Sequence, residues 1–211
     1  MELRLSELGP KILSRDQGVR TTETTELWII QKYLCLRMRS KQIGYPLALY
    51  SKDRPDFRLE EAGCVAGVEV TIATFQRVQI ALQQAHVMGL GIFSLDGLAR
   101  KESKVPIKAN AIRDHLQNDE DKSPGYSGHQ VEVEAYGLLS AALDAKLIAL
   151  NKDGFERFQI NHLLIYENSS LPQIDWESID CSLLQQKNSN YVNVGFHRIT
   201  VLTDSKLIEI V

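Results

Sequence analysis

Two carboxylate residues stand where they could share one metal ion. Asp56 follows Pro55 at the head of an extended segment, and Glu69 lies inside the next apolar segment, Gly67-Val68-Glu69-Val70-Thr71. A hairpin between these segments would bring the two side chains together. Because two like charges are costly to bury side by side, a divalent cation bound by carboxylate oxygens is the usual compensation. The pair therefore predicts a site for a hard cation.

The segments around this pair predict strands that are joined by short turns. Residues 45–50 and 56–60 are expected to be extended, residues 61–63 to form a turn, and residues 64–71 to form a strand. Alternation along this last strand places Gly67, Glu69 and Thr71 on one face. The missing side chain at Gly67 would let another group approach closely beside Glu69.

Three helices are predicted to position the remaining candidates. The first covers residues 27–38 after the cap-type segment 21–26, the second covers 73–86, and the third covers about 130–150. Lys146 lies in the middle of the apolar stripe that Leu139, Leu143 and Leu150 form on the third helix. A lysine there costs stability unless its amine reaches solvent or meets a carboxylate.

The rest of the chain completes an alternation of helices and strands. A short strand is expected over 89–95, irregular structure with a basic first half over 99–130, and a buried strand over 158–167. Asp175 is expected to cap a short helix through Gln185, and residues 198–210 to form a hairpin. This order of elements favours a mixed sheet that is sandwiched by helices.

Composition describes an ordinary globular chain. Its 211 residues are 44% hydrophobic and 24% charged with a net charge of −3, and they predict one domain over 1–211. The three cysteines show no C-x-x-C spacing, which is typical of a reduced cytoplasmic protein. No apolar run approaches the roughly 18 residues of a membrane span, so no membrane association is expected. Because the net charge is negative, any contact with nucleic acid must use a local basic surface.

The segments Pro55-Asp56 and Glu69-Val70-Thr71 together resemble the signature of the PD-(D/E)xK nuclease superfamily, which has the restriction-endonuclease-like fold. That signature is Pro-Asp, a spacer, an acidic residue, any residue and Lys, and Thr71 stands here at the lysine position. The resemblance implies an α/β domain with a mixed central sheet between helices. Residues 22–168 would form its core, and residues 169–211 would add a C-terminal helix and β-hairpin.

The resemblance also implies roles for individual residues. Asp56 and Glu69 would bind magnesium or manganese, with the Val70 carbonyl as a third ligand, and the metal would position a water for attack on a phosphodiester. Some members of the superfamily carry the lysine on a neighbouring helix, and Lys146 could act in this way on water or phosphate. The alternative for Lys146 is a lysine that snorkels to solvent at the sheet edge.

Two further residues have both a functional and a structural interpretation. Glu26 could be the accessory acidic residue that several members place on the first helix, although Glu23 stands one turn earlier. Glu26 could equally be a first-turn glutamate that the helix dipole favours. The Thr71 hydroxyl could contact water or phosphate, or Thr71 could be a β-branched strand residue without a functional role.

The function implied is that of a cytoplasmic, metal-dependent nuclease whose partner is nucleic acid, DNA before RNA, and which could act as a homodimer. A catalytically inactive member of the same fold, which binds nucleic acid or protein, is the alternative. Thr71 at the lysine position and the acidic net charge favour this alternative. The direction of the Lys146 amine distinguishes the two functions. An amine that points into the cleft between Asp56 and Glu69 favours the enzyme, and one that points to solvent favours the binding module.

Overall fold

The computed structural model of the chain describes residues 2–3, 22–90, 98, 106–117, 126–179, 184 and 195–210. The chain divides into two compact units. The first unit comprises Met1–Ile72, Ala142–Glu167 and Cys181–Val211, and the second comprises Ala73–Ala141 and Asn168–Asp180. All the candidate site residues belong to the first unit. The single domain expected over 1–211 stays a prediction.

In the described part of the chain, seven strands form one open mixed sheet in which spatial order follows chain order. The pairs β1–β2, β2–β3 and β3–β4 are antiparallel, β5 and β6 are parallel, and β6 and β7 are antiparallel. The α/β class with a mixed sheet, and the C-terminal hairpin, are therefore confirmed. The strands are β1 Glu2–Leu3, β2 Leu47–Ser51, β3 Phe57–Glu61, β4 Cys64–Ala73, β5 Ile160–Glu167, β6 Arg198–Leu202 and β7 Leu207–Glu209.

Four helices lie in the described part of the chain: α1 Thr22–Arg39, α2 Gln76–Val87, α3 Ala109–Gln117 and α4 Gln130–Leu150. Helix α4 has the predicted bounds. Helix α1 begins at Thr22, five residues earlier than predicted, because the polar segment expected to cap the helix forms its first turns.

Helix α3 corrects the expectation of irregular structure over 99–130. Ile112 and Leu116 lie one turn apart on α3, and they pack in a small core of the second unit with Ala81 and Leu98. Ala81 and Leu98 are distant from α3 in the sequence, and this tertiary contact stabilises the helix. Residues 99–105 and 118–125 of that segment lie outside the described part.

Two helical layers cover opposite faces of the sheet in the first unit. Val68 and Val70 of β4 share a core with α1, through Ile30, Tyr33 and other α1 residues. Glu69, between these two valines, forms an ion pair with Lys146 of α4. Because alternate strand residues point to opposite faces, α1 and residues 142–150 of α4 lie on opposite sides of β4. The first unit therefore has α/β/α layers.

Two other expected elements are only partly described. Over 175–179 the chain forms a turn rather than the start of a helix, in which the Asp175 carboxylate accepts the Glu177 N–H at 3.0 Å and the Ser178 hydroxyl at 2.6 Å. These local bonds close an Asx turn, and no helix begins over 175–179. Residues 180–183 and 185 of the expected helix lie outside the described part. Residues 91–95 of the strand expected over 89–95 lie outside the described part.

None of the helices in the described ranges combines the length and the apolar character needed to cross a membrane.

Candidate functional site

The β3–β4 hairpin sets Asp56 opposite Glu69. Ala62 and Gly63 form its turn with φ values of 50° and 84°, as a tight two-residue hairpin requires. Phe57 then pairs with Val68 in antiparallel register, and one further step along that register places Asp56 across from Glu69. Opposite residues of antiparallel strands share a face and have Cβ atoms about 5 Å apart. The short turn therefore brings the two carboxylates together.

The Asp56 carboxyl group is half-buried and bound to backbone. Its Oδ2 atom accepts a hydrogen bond of 2.7 Å from the N–H of Val70. Burial, and after it the charge of the nearby Glu69 carboxylate, raise the pKa of Asp56 from 3.8 to about 7, although the Val70 N–H and the Lys146 charge act in the opposite direction. The site therefore carries an excess of negative charge that a cation would relieve.

The Glu69 carboxylate is the most deeply buried group of the site. Its residue is 6% exposed, and its Oε1 atom accepts a bond of 2.6 Å from the Lys146 amine. The Oε2 atom is buried and has no hydrogen-bond partner among the described residues. Leaving a buried carboxylate oxygen unpartnered is costly, so this atom is suited to accept a bond from water or to bind a cation.

Lys146 turns inward toward Glu69. Its side chain is 22% exposed, and its neighbours along the helix, Leu143, Leu147 and Leu150, are buried. A lysine ammonium has three N–H donors, and Glu69 takes one of them. The amine is therefore directed at the carboxylate of β4, whereas a snorkelling lysine would direct it to solvent.

The other candidate residues differ in their burial and in their contacts with Asp56, Glu69 and Lys146. Glu26 is half-buried on α1; burial raises its pKa, and the charges of Lys146 and Glu69 also act on it. Glu23 is exposed. Thr71 is half-buried and lies on the same face of β4 as Glu69. Val70 meets Asp56 through its N–H, and metal binding by its carbonyl stays a prediction.

The space beside Gly67 is filled by protein. A Cβ atom at this position would lie 2.5 Å from Cδ2 of Phe158 and 2.8 Å from Cγ of Pro55. The close approach expected from the glycine therefore comes from the Phe158 ring and from the proline that precedes Asp56. This contact helps to fix Asp56 against β4.

A cavity of about 230 Å³ opens on the two carboxylates. The turn before β3 contributes Asp53 and Arg54 to its wall, and the segment after α4 contributes Lys152 and Phe155. The two segments are joined where the Glu156 N–H donates to the Arg54 carbonyl at 3.1 Å. Sequence reasoning missed these wall residues because they lie in loops, although Lys152 and Phe155 closely follow the helix that carries Lys146.

The donor set fits a hard cation with an incomplete protein shell. Asp56 and Glu69 supply carboxylate oxygens on one cavity wall, and Glu69 Oε2 lacks a partner. In the described ranges, no group of three or more His, Cys, Asp and Glu side chains could hold a metal. A cation bound here would need waters, backbone carbonyls or substrate oxygens as further ligands. Magnesium is commonly held in this way, by one or two carboxylates with waters and phosphates.

Comparison with known proteins gave no family model, no curated protein and no solved structure that matches this chain.

Proposed function

We propose that this chain is a nuclease that hydrolyses nucleic-acid phosphodiesters with magnesium or manganese as its cation. The observation that carries this proposal is the 2.6 Å bond between Lys146 and Glu69, beside Asp56 in one cleft. Two hard-cation ligands and a fixed ammonium are the groups that hydrolysis of a phosphodiester needs. The chain would be a divergent relative of the PD-(D/E)xK superfamily.

Each residue of the cleft has a task that follows from its contacts. Asp56 and Glu69 would hold the cation, which when bound acidifies water and neutralises phosphoryl charge. The Val70 N–H fixes the orientation of the Asp56 carboxylate. The two remaining Lys146 donors would hold the attacking water or a phosphate oxygen. Glu26 and Thr71 would be accessory groups at the margin of this arrangement.

Helix α4 would supply the lysine that β4 lacks. Thr71 lies two residues after Glu69 on the same face of the strand, where the signature has its lysine. Lys146 reaches Glu69 from the helix that covers this face. A cationic group beside the acidic pair is therefore retained, although a different element delivers it.

A second candidate function is a binding module without catalysis. The observation that favours it is Thr71, whose hydroxyl cannot provide the charge of a lysine. DNA is the first partner to test for both functions, and RNA is the second.

The test combines metal titration with a cleavage assay. Wild type, Asp56→Asn and the control Glu60→Gln are titrated with magnesium and manganese by calorimetry, with and without DNA. Glu60 is a suitable control because it belongs to the same hairpin and pairs with Arg58 away from the cleft. We expect binding by wild type and by Glu60→Gln, and none by Asp56→Asn.

Lys146→Met separates catalysis from metal binding. Removing the ammonium leaves Glu69 free for the cation, so binding should be unchanged or tighter. Cleavage of DNA or RNA should fall by about 10²-fold or more, since a positioned charge is lost. Absence of metal binding by wild type at millimolar concentration, even with DNA, would refute the nuclease. Metal binding without cleavage of either nucleic acid would favour the binding module.

A further inference from the structure

The cavity beside the carboxylate pair carries two cations that the proposed hydrolysis does not use. Arg54 and Lys152 line it, and both residues are exposed. Within the described part of the chain, neither side chain forms an ion pair, whereas the nearby Lys52 is bound to Glu156 at 2.5 Å. Two cations that face one cavity without partners are available to an anionic ligand.

The two cations favour a phosphate as the ligand. The Lys146 amine is bound to Glu69 at 2.6 Å, whereas Arg54 and Lys152 line the cavity and form no ion pair within the described ranges. A phosphate presents the oxygen acceptors that arginine and lysine bind.

Phe155 adds an aromatic surface to the same wall. Its side chain is half-buried and lines the cavity, in the segment that also contributes Lys152. Phe158, three residues later, is by contrast packed against Gly67 and Pro55. Basic groups combined with an aromatic side chain form the usual platform for single-stranded nucleic acid, because every base has a face that can stack.

The aromatic wall favours one strand over two. The faces of bases are covered by stacking within a double helix, whereas an unpaired base of a single strand can stack on a side chain such as Phe155.

We propose that Arg54, Lys152 and Phe155 form a nucleotide subsite for single-stranded nucleic acid. The two cations bind a phosphate of the strand, and the Phe155 ring stacks on a base. The placement of this subsite next to the scissile bond rests on the proposed nuclease function. Binding itself depends only on the cavity wall and can be measured without metal.

The test measures binding of a fluorescein-labelled 15-nucleotide oligothymidine to the full chain in EDTA, by fluorescence anisotropy. Phe155→Leu should weaken binding by about 5- to 100-fold, the range that loss of one stacked base gives. Phe155→Tyr keeps the ring and should bind like wild type. A duplex of the same length should bind more weakly than the single strand.

Lys152→Gln supplies an independent readout, because Lys152 is exposed and its replacement leaves packing intact. The slope of log affinity against log salt should decrease in magnitude by about 0.7, the value for one phosphate contact on a single strand. Lys206→Gln, an exposed lysine in the β6–β7 turn, is the matched control and should leave the slope unchanged.

The outcomes separate this subsite from the nuclease. Wild type that fails to bind oligothymidine in EDTA, Phe155→Leu that binds like wild type, or a duplex that binds more tightly would overturn the subsite. Metal-dependent cleavage could still be present in each of these cases. If oligothymidine binding depends on Phe155 but the protein binds no magnesium, the nuclease proposal is contradicted and the subsite is supported.

Discussion

The fold places the Asp56 carboxyl group in an environment that disfavours its ionisation. Burial is the largest cause, and the Glu69 charge across the hairpin is the second. Its pKa of about 7 means that the folded protein binds a proton more strongly than the unfolded chain, in which the value is near 3.8. Between about pH 4 and pH 7 the folded state therefore binds more protons, and stability falls as the pH rises through this range.

Asp56→Asn should remove this dependence, because asparagine cannot ionise and its oxygen can still accept the Val70 N–H. In metal-free buffer at pH 8 we expect the free energy of unfolding to increase by on the order of 1–3 kcal/mol, since each unit of pKa corresponds to about 1.4 kcal/mol. At pH 4 the two proteins should differ little. Urea unfolding at both pH values measures the effect, and an equal change at both would contradict it.

The Lys146–Glu69 pair should stabilise the fold only as a pair. Lys146→Met leaves a buried carboxylate without its partner and next to Asp56, and we expect a loss of about 2–4 kcal/mol. Adding Glu69→Gln to that variant removes the unpaired charge and should recover at least half of the loss. Lys52→Met, in the more exposed pair with Glu156, should cost less than about 1 kcal/mol.

Denaturant unfolding of the four proteins (wild type, the two lysine variants and the double variant) measures these differences. A double variant that is no more stable than Lys146→Met would show that packing of the lysine stem, rather than its charge, holds α4 on this face of the sheet.

At the scale of residues, the sequence predicted those candidates that a local pattern displays. Asp56 and Glu69 were predictable because the pattern of one hairpin displays both, and Lys146 because it interrupts an apolar stripe. The Val70 N–H bond to Asp56 depends on how β3 enters its register, which no single-residue pattern shows. Arg54, Lys152 and Phe155 come from two loops that meet only in the folded chain.

At the scale of elements, the segment that carries Asp56 packs against β4 at Gly67. The Phe158 ring and Pro55 approach the strand so closely that a methyl group does not fit. The segment that ends in Asp56 is thereby fixed in position by a residue that has no side chain.

Gly67→Ala should destabilise the protein by about 1–3 kcal/mol, the usual cost of overpacking, and should weaken metal binding because Pro55 and Asp56 must shift. Gly137→Ala is the matched control: this helical glycine has open space around its Cβ position, so alanine should be neutral or stabilise by up to about 1 kcal/mol. Thermal unfolding and magnesium calorimetry measure both variants. A Gly67→Ala protein with unchanged metal affinity would show that this packing does not position Asp56.

The helices show the same limit on prediction. Helix α4 has a long sequence of helix-forming residues, and its bounds were predicted correctly. Helix α3 was missed because its apolar contacts are two residues, Ile112 and Leu116, whose partners lie far away in the sequence. The spacing of these two residues by one helical turn is nevertheless a local signal, and it agrees with the tertiary contact.

At the scale of the whole molecule, the two compact units each contain one tryptophan, Trp28 in the first and Trp176 in the second. Trp28 packs against the core between α1 and the sheet, whereas Trp176 is half-buried in a turn. These different surroundings predict different local stabilities.

Trp28→Phe and Trp176→Phe leave one fluorescent reporter in each unit. We expect the transition seen by Trp176 to occur at a lower urea concentration than that seen by Trp28, because Trp176 lies in a turn and Trp28 in a helix that packs on the sheet. Circular dichroism on both variants controls for a change in overall stability. Coincident transitions would instead establish one cooperative domain over the whole chain.

The bond between Lys146 and Glu69 has a consequence for how the protein would behave in a cell. Structural zinc domains unfold without their ion because the metal supplies the folding energy. Here an internal ammonium already neutralises the most buried acid, so we expect the protein to fold without a bound ion. Occupancy would then follow the free concentration of the cation, and a chelator would silence the site reversibly without exposing the chain to proteolysis.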